Sequence, residues 1–327
     1  MTMFGKARNG ILVALLLWAM SGVSAAQDAF PDRAMRLIVP YPAGGTSDTL
    51  ARALGAELHA ALGQPVVIEN RPGGGTAIAA QAAAKSPPDG YTLFFVSDQT
   101  LTTLPMLRKN LPFDAKRDFV PIIALADMDW VLVANPSSGI SKLEDLVTLA
   151  KAKPGALNYG SFGIGSPAHL GMELFKQVAD LSITHIPSKG VAQVVTDLLG
   201  GSVQVALLGI SGAPLIKAGK VNALGLANSK RSSQLPDVPT FAEKGYPQMH
   251  VKAWWGIVAP AGTPKDIVDK LNAAFTKIVT DPEFRQKRMI AQGLEPLDSS
   301  QEAFAKLIRE DTRHWQKVIE GAKITPQ

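Results

Sequence analysis

The 327-residue sequence contains no cysteine, and aromatic residues make up only 6% of the chain. The absence of cysteine excludes disulfide bonds, thiolate nucleophiles and cysteine-ligated metals. The scarcity of aromatic residues argues against a cleft that stacks on sugar rings. Basic residues are scattered without a run of five or more, so we expect no nucleic-acid partner.

Signatures of cofactor and metal sites are also missing. No phosphate-binding P-loop occurs, and Gly73-Gly74-Gly75 lacks the final glycine of a dinucleotide fingerprint. No two histidines of the mature chain stand at metal-ligand spacing; they are His59, His169, His185, His250 and His314. We therefore expect neither a cofactor nor a metal.

One enzymatic alternative remains open. Gly209-Ile210-Ser211-Gly212-Ala213 differs by one residue from a nucleophile elbow, and it follows an apolar strand over residues 203–208. A secreted serine hydrolase that uses Ser211 is therefore the alternative to a binding protein.

The first 26 residues are typical of a secretory signal peptide. Lys6 and Arg8 precede an apolar run over residues 11–20, and small residues follow as far as Ala26. The apolar run is too short to anchor the chain in a bilayer. We expect cleavage near Ala26 and export of the remaining chain.

A strand, a glycine turn and a helix form the first unit of that chain. Residues 37–39 predict a buried strand, which two prolines end. Two glycines then allow a sharp turn into a helix with leucines at a spacing of four. Such a helix start offers backbone N–H groups and the positive end of the helix dipole to an anion. The residues of this turn, of which the last three can cap the helix, are Gly44, Gly45, Thr46, Ser47 and Asp48.

A second unit of this kind lies near the middle of the chain. Residues 156–159 predict a short strand, residues 160–165 form a glycine turn, and Ser166 caps a helix that starts at Pro167. His169 lies one turn into this helix and can reach a ligand at the helix start. Two such units predict two lobes that face one cleft, and the candidates of the second are Ser161, Gly163, Ile164, Gly165, Ser166 and His169.

Alternation of strands and helices predicts an α/β fold with parallel sheets and right-handed crossovers. Ligands on such sheets bind beyond the carboxyl ends of the strands, which adds Ser97 and Lys189 to the candidates. We predict lobe one over residues 27–128 plus 251–327 and lobe two over residues 129–250. Closure is then a hinge motion near residues 127–131 and 250–255.

The mature sequence resembles, over essentially its whole length, the solute-binding receptors of tripartite tricarboxylate transporters, the Bug (Bordetella uptake gene) group. The resemblance is carried by Val-Pro-Tyr-Pro-Ala-Gly-Gly-Thr-Ser-Asp at 39–48, Val-Ile-Glu-Asn-Arg-Pro-Gly-Gly-Gly at 67–75, Pro-Asp-Gly-Tyr-Thr-Leu at 88–93, Asp-Leu-Leu-Gly-Gly at 197–201, Ile-Lys-Ala-Gly-Lys at 216–220, Leu-Pro-Asp-Val-Pro-Thr at 235–240 and Ala-Pro-Ala-Gly-Thr-Pro at 259–264.

The resemblance implies a type II-like periplasmic binding protein, not an enzyme, that closes two lobes around a small carboxylate. It also implies a periplasmic location, a monomer, and membrane transporter subunits as partners. Carried over by matching position, the family's carboxylate contacts fall on Tyr41, Gly44, Thr46, Ser47, Asp48, Gly163, Gly165, Ser166 and His169.

Departures from the family pattern concern the far side of the binding site. The family's Thr-His-Ala-x-Asn-Pro is Thr-Leu-Thr-Thr-Leu-Pro at 100–105, and its Pro-Tyr-Lys-Gly is Pro-Ser-Lys-Gly at 187–190. The acidic residue expected after Gly-Gly-x-Val-Asp is replaced within Leu-Leu-Gly at 207–209. These changes remove polar partners, so we expect an aromatic or longer aliphatic acid as the ligand.

Overall fold

The computed structural model describes residues 30–188, 190–297 and 300–326. Its strands are β1 Met35–Val39, β2 Val66–Asn70, β3 Thr92–Ser97, β4 Phe119–Met128, β5 Trp130–Ala134, β6 Asn158–Ser161, β7 Thr184–Pro187, β8 Val205–Gly209, β9 Asn222–Leu226, β10 Trp254–Pro260 and β11 Leu294–Pro296. Its helices are α1 Thr46–Leu62, α2 Ala77–Ala84, α3 Leu104–Leu107, α4 Leu143–Ala152, α5 Pro167–Ala179, α6 Val191–Leu199, α7 Ala213–Lys217, α8 Lys265–Thr280, α9 Pro282–Phe284 and α10 Gln301–Gly321.

The strands form two sheets, one in each lobe. The first has the order β11-β4-β10-β3-β1-β2, with β1 parallel to both β2 and β3. The second has the order β7-β6-β8-β5-β9, with β6 parallel to both β7 and β8. Both sheets are mixed and not wholly parallel, because β10 and β5 run antiparallel to their neighbours.

Two segments carry the chain between the lobes. Strand β4 belongs to the first sheet and β5 to the second, and Asp129 alone separates them. The return segment comes just before β10, and the carboxylate of Asp127 joins the two segments. Its Oδ1 accepts hydrogen bonds from the backbone N–H groups of Met128 (2.8 Å) and Ala253 (3.1 Å). Bending of either segment therefore moves the other.

Helix α10 packs against both lobes. Near its start, Phe304 joins the core of the first lobe with Phe94 and Trp254. One side of its C-terminal half joins the core of the second lobe through Trp315, Val318 and Ile319. The helix thus links the cores of the two lobes.

Helix starts differ from the sequence expectations in two places. Helix α1 has Gly45 as its N-cap with no capping side chain, so none of Thr46, Ser47 and Asp48 is the cap. The sequence Ser-Lys-Leu-Glu at 141–144 also predicts a capping box, and this prediction is wrong: α4 starts after Lys142, and Asp145 accepts the backbone N–H groups of residues 141 and 142.

Three predictions fall on residues outside the described ones: the signal peptide, Lys189 as a site residue, and Ser299, which the sequence predicts to open a capping box with Glu302 at the start of the final helix. In the described chain, α10 instead has Ser300 as its N-cap, whose Oγ accepts the N–H of Ala303. Across the described ranges, no helix combines the length and hydrophobicity that a membrane span requires.

Candidate functional site

A cavity of about 300 Å³ lies between the lobes. It collects residues that follow or end β1, β3, β6 and β8, as expected for the carboxyl ends of strands. The first lobe contributes Tyr41, Ser47, Ser97, Asp98 and Gln99; the second contributes Phe162, Pro167, Val191, Leu208, Gly209 and Ser211; the crossing segments contribute Met128, Trp130, Ala253 and Trp255.

Other hollows of the molecule fit a ligand site less well. Two grooves of about 620 Å³ are larger, but one runs between α1 and α8 and the other along α10. A recess of about 90 Å³ shares Gln99 with the cavity and is lined by Ile164 and Gly165 of the second glycine turn. Only the cavity and this recess, among these hollows of the described chain, receive residues from the glycine turns.

The first glycine turn is held by an internal anion. Asp48 is buried, and its Oδ2 accepts hydrogen bonds from the Gly44 N–H (2.9 Å) and from Arg52 Nε (3.0 Å). Its Oδ1 accepts from Asn70 Nδ2 at 2.9 Å. Arg52, together with the Gly44 and Asn70 donors, lowers the Asp48 pKa to about 2 against the effect of burial. Gly44, at a φ of +88°, therefore directs its N–H at Asp48.

The next backbone N–H groups along the turn are those of the first turn of α1. The first N–H groups of any helix have no intrahelical acceptor, and no side chain caps this one. Ser47, in this first turn, is buried and lines the cavity. The start of α1 thus offers amide hydrogens and one hydroxyl on the cavity side, where the helix dipole favours negative charge.

A chain of hydroxyl groups continues from the first turn. Tyr41 Oη donates to Ser97 Oγ at 2.9 Å, and Ser97 Oγ lies 3.2 Å from Thr100 Oγ1. Thr100 in turn donates to Thr76 Oγ1 at 2.9 Å. Burial raises the pKa of Tyr41, so its phenol stays protonated. Tyr41 and Ser97 thus give this wall of the cavity neutral polar groups whose hydroxyl protons are donated along the chain.

The second glycine turn is held by histidine and serine side chains. Ser166 caps α5: its Oγ accepts the His169 N–H at 3.3 Å and donates to the Gly163 carbonyl at 2.7 Å. His169 Nδ1 accepts the Gly165 N–H at 3.1 Å. The cap at Ser166 and the helix start at Pro167 are as the sequence predicted.

Beneath this turn two imidazoles stack. The rings of His169 and His185 lie 4.2 Å apart, and His185 Nε2 lies 2.7 Å from Ser161 Oγ. Burial lowers the pKa of both, and that of His185 falls to about 3. Both rings are neutral at pH 7, so the second turn also lacks a fixed positive charge.

The predicted site residues therefore fall into layers. Tyr41, Ser47 and Ser97 line the cavity, and Ile164 and Gly165 line the adjoining recess. The remaining described candidates lie behind them in the two turns: Gly44, Gly45, Thr46, Asp48, Ser161, Gly163, Ser166 and His169.

Sequence reasoning missed several lining residues. Asp98 and Gln99 come directly after β3, so the rule that pointed to Ser97 could have found them. Nothing in the local sequence marks Phe162 and Leu208 as residues of a binding site, because isolated apolar residues usually belong to a core. Ser211 lines the cavity and is exposed, and no hydrogen bond joins it to a histidine within the described residues.

Comparison with known proteins finds a protein family that matches this sequence. The family model described as tripartite tricarboxylate transporter family receptor matches residues 50–324 of the chain. Protein BugT of Bordetella pertussis is 35% identical over 315 residues, covering 94% of this chain and 95% of that one.

Two solved structures share both sequence and fold with this chain. The structure of R. palustris Rpa4515 with adipate is 33% identical, with a TM-score of 0.82, covering 91% of this chain and 100% of that one. MatC from Rhodopseudomonas palustris with bound malate is 32% identical, with a TM-score of 0.76, covering 89% of this chain and 100% of that one.

Proposed function

The chain belongs to the tripartite tricarboxylate transporter receptor family, whose members are solute-binding proteins and not enzymes, and we propose that it captures a small carboxylate by closing its two lobes. The fold is that of a type II-like periplasmic binding protein. The observation that supports this proposal most is the cavity between the lobes, with the uncapped start of α1 on its wall.

We propose that one carboxylate of the ligand binds at the start of α1. The Ser47 hydroxyl and the first amide hydrogens of the helix are the donors, whereas the hydroxyl protons of Tyr41 and Ser97 are used within the chain that runs on to Thr100 and Thr76. Closure would bring the second turn, through Ile164 and Gly165, toward the same carboxylate. Asp48, Ser166 and His169 then act by holding the two turns in shape.

The wall opposite the hydroxyl groups favours an apolar ligand body. Phe162, Val191 and Leu208 line it, and Phe162 stacks on Trp130 with ring centroids 6.1 Å apart. The relatives bind adipate and malate, both small carboxylates. We propose an aromatic or longer aliphatic acid, because apolar contacts stabilise such a body at roughly 25 cal/mol per Å² buried.

We further propose that the mature protein works as a monomer in the periplasm and delivers its ligand to membrane transporter subunits. The family is a transporter receptor family, and the sequence predicts a signal peptide over residues 1–26. Lys189, if it approaches the cleft on closure, would add a positive charge to the carboxylate site.

A carboxylate screen tests the binding proposal. Apolar acids such as benzoate, 3-phenylpropanoate and octanoate should raise the melting temperature more than citrate does, since ligands that bind only the folded state stabilise it. Loss of the hydroxyl in Ser47→Ala should weaken the best ligand about tenfold, the equivalent of roughly 1.4 kcal/mol. Thr49→Ala removes an exposed hydroxyl from the same helix and is the matched control. Stabilisation by citrate alone would contradict the apolar part of the proposal.

Ser211→Ala separates a receptor from a hydrolase. Ser211 lines the cavity without a histidine hydrogen bond among the described residues, so its replacement should change ligand affinity by less than about threefold. Neither the wild type nor the variant should hydrolyse 4-nitrophenyl esters above the rate of the free buffer. If the wild type hydrolyses these esters and Ser211→Ala does not, the result would support the hydrolase alternative.

A further inference from the structure

We propose that Asp98 forms a subsite for an ammonium group, so that the captured solute is an amino acid with an apolar side chain. This inference rests on the proposed carboxylate-binding function and names the ligand class more narrowly. It concerns a side chain on the cavity wall that carboxylate binding alone leaves unexplained.

Asp98 is an unusual residue for the wall of a site that binds an anion. It follows β3 directly, lines the cavity, and is only 4% exposed. No lysine or arginine within the described chain forms an ion pair with it. A buried carboxylate without a partner is costly, and a simple carboxylate ligand would add a second negative charge beside it.

Two other carboxyl groups lie near Asp98 and oppose its ionisation. Burial first, and then the nearby carboxyls of Asp311 and Asp127, raise the pKa of Asp98 well above its ordinary value. Lys252 lies near Asp127 and Asp311 and lowers their pKa values. Hydrogen bonds from the backbone N–H groups of Gln99 and of Asp98 itself oppose this rise in pKa, and a cation bound in the cavity would stabilise the ionised carboxylate further.

Aromatic rings around the cavity suit such a cation. Tyr41, Trp130, Phe162 and Trp255 all line it. Trp255 pairs with Ser97, the residue before Asp98, across β10 and β3. The faces of aromatic rings attract ammonium groups by roughly 0.5–2 kcal/mol, more when the site excludes water.

The placement of Asp98 favours an amino acid. It lines the cavity together with Ser47, a proposed carboxylate donor, and in an α-amino acid the ammonium and carboxylate are attached to the same carbon. The apolar wall of Phe162, Val191 and Leu208 is left for the ligand side chain. On binding, the Asp98 carboxylate pairs with the ligand ammonium, so the ion pair carries no net charge.

Matched ligand pairs test the inference by calorimetry. L-leucine and 4-methylpentanoate, and L-phenylalanine and 3-phenylpropanoate, differ only in the amino group. The wild type should bind at least one of the amino acids about tenfold or more tightly than its partner acid. Asp98→Asn, which is nearly isosteric, should lose this preference by weakening the amino acid about tenfold while changing the acid less than about threefold.

The control variant is Asp266→Asn, an exposed aspartate in the first turn of α8, which should bind like the wild type. The inference is overturned if neither amino acid binds, or if Asp98→Asn retains the preference. It is also overturned if the wild type prefers the acids and Asp98→Asn weakens them, since a protonated Asp98 would then donate to a carboxylate. Failure of the carboxylate proposal would look different: neither the screen nor these pairs would yield a ligand sensitive to Ser47→Ala.

Discussion

Asp48→Ala should weaken carboxylate binding by about 100-fold, roughly 2.7 kcal/mol, although Asp48 does not line the cavity. Its carboxylate accepts hydrogen bonds from the Gly44 N–H, Arg52 and Asn70. Without these bonds the turn loses the group that fixes the start of α1. Isothermal titration with the best ligand from the screen measures the effect directly.

The same variant should lose about 2–4 kcal/mol of folding stability, because the Gly44 N–H, the Asn70 amide and the half-exposed Arg52 guanidinium lose a buried, charged acceptor. The Asp48 pKa is about 2 in the folded chain and near 3.9 in unfolded peptides. A depressed pKa stabilises the folded state at pH values above 4, and this stabilisation disappears as the pH falls toward 2. The difference in unfolding free energy between wild type and variant should therefore shrink below pH 4.

Two controls separate the possible causes. Arg52→Ala removes a half-exposed partner of Asp48 but leaves the Gly44 and Asn70 bonds, so it should cost at most about 1 kcal/mol. Asp266→Ala removes an exposed first-turn aspartate from α8 and should change stability by less than about 0.5 kcal/mol. If Asp48→Ala binds ligand as the wild type does, the first turn does not need its internal anion and the carboxylate site lies elsewhere.

Local sequence features predicted the parts of the site that local interactions build. The strand, glycine turn and helix at Gly44 follow from proline, glycine and the leucine spacing of α1. The cap at Ser166 and the start of α5 at Pro167 follow from capping chemistry. Residues two to four apart determine these features, so one sequence is enough to reveal them.

Long-range pairing explains what the sequence could not reveal. The antiparallel β10 enters the first sheet between β3 and β4, far from either in sequence, so alternation of strands and helices predicted a parallel sheet. The stacking of His169 on His185 likewise joins residues from two elements, and no local pattern around His169 could have predicted it. Asp98 stands out as a candidate only in the folded chain, where it is buried near the carboxyls of Asp127 and Asp311.

Asp127, which joins the two crossing segments, should make the folding stability depend on pH. Burial raises the pKa of Asp127 to about 7, despite hydrogen bonds from Met128 and Ala253 and the nearby Lys252; Asp129 raises it slightly further. The folded chain thus binds this proton more tightly than the unfolded chain, whose aspartates titrate near 3.9. The stability contributed by the protonated form is complete below pH 4, falls as the pH rises from 4 to 7, and is lost above 7.

Asp127→Asn should remove this part of the pH dependence. Its amide Oδ1 can still accept both backbone hydrogen bonds between the crossing segments, but the side chain does not ionise. Melting curves at pH 4 should therefore coincide with those of the wild type, while at pH 8 the variant should be more stable by about 2 kcal/mol, a rise of roughly 2–4 °C.

Some pH dependence should remain in Asp127→Asn, because burial also raises the pKa of Asp311 to about 6. Asp127→Ala is the comparison that separates charge from geometry: it removes the bonds to Met128 and Ala253 and should be less stable than Asp127→Asn at every pH. Equal gains for Asp127→Asn at pH 4 and pH 8 would mean that this carboxyl does not titrate in the folded chain. The two crossing segments would then be joined by a carboxylate that stays charged between pH 4 and pH 8.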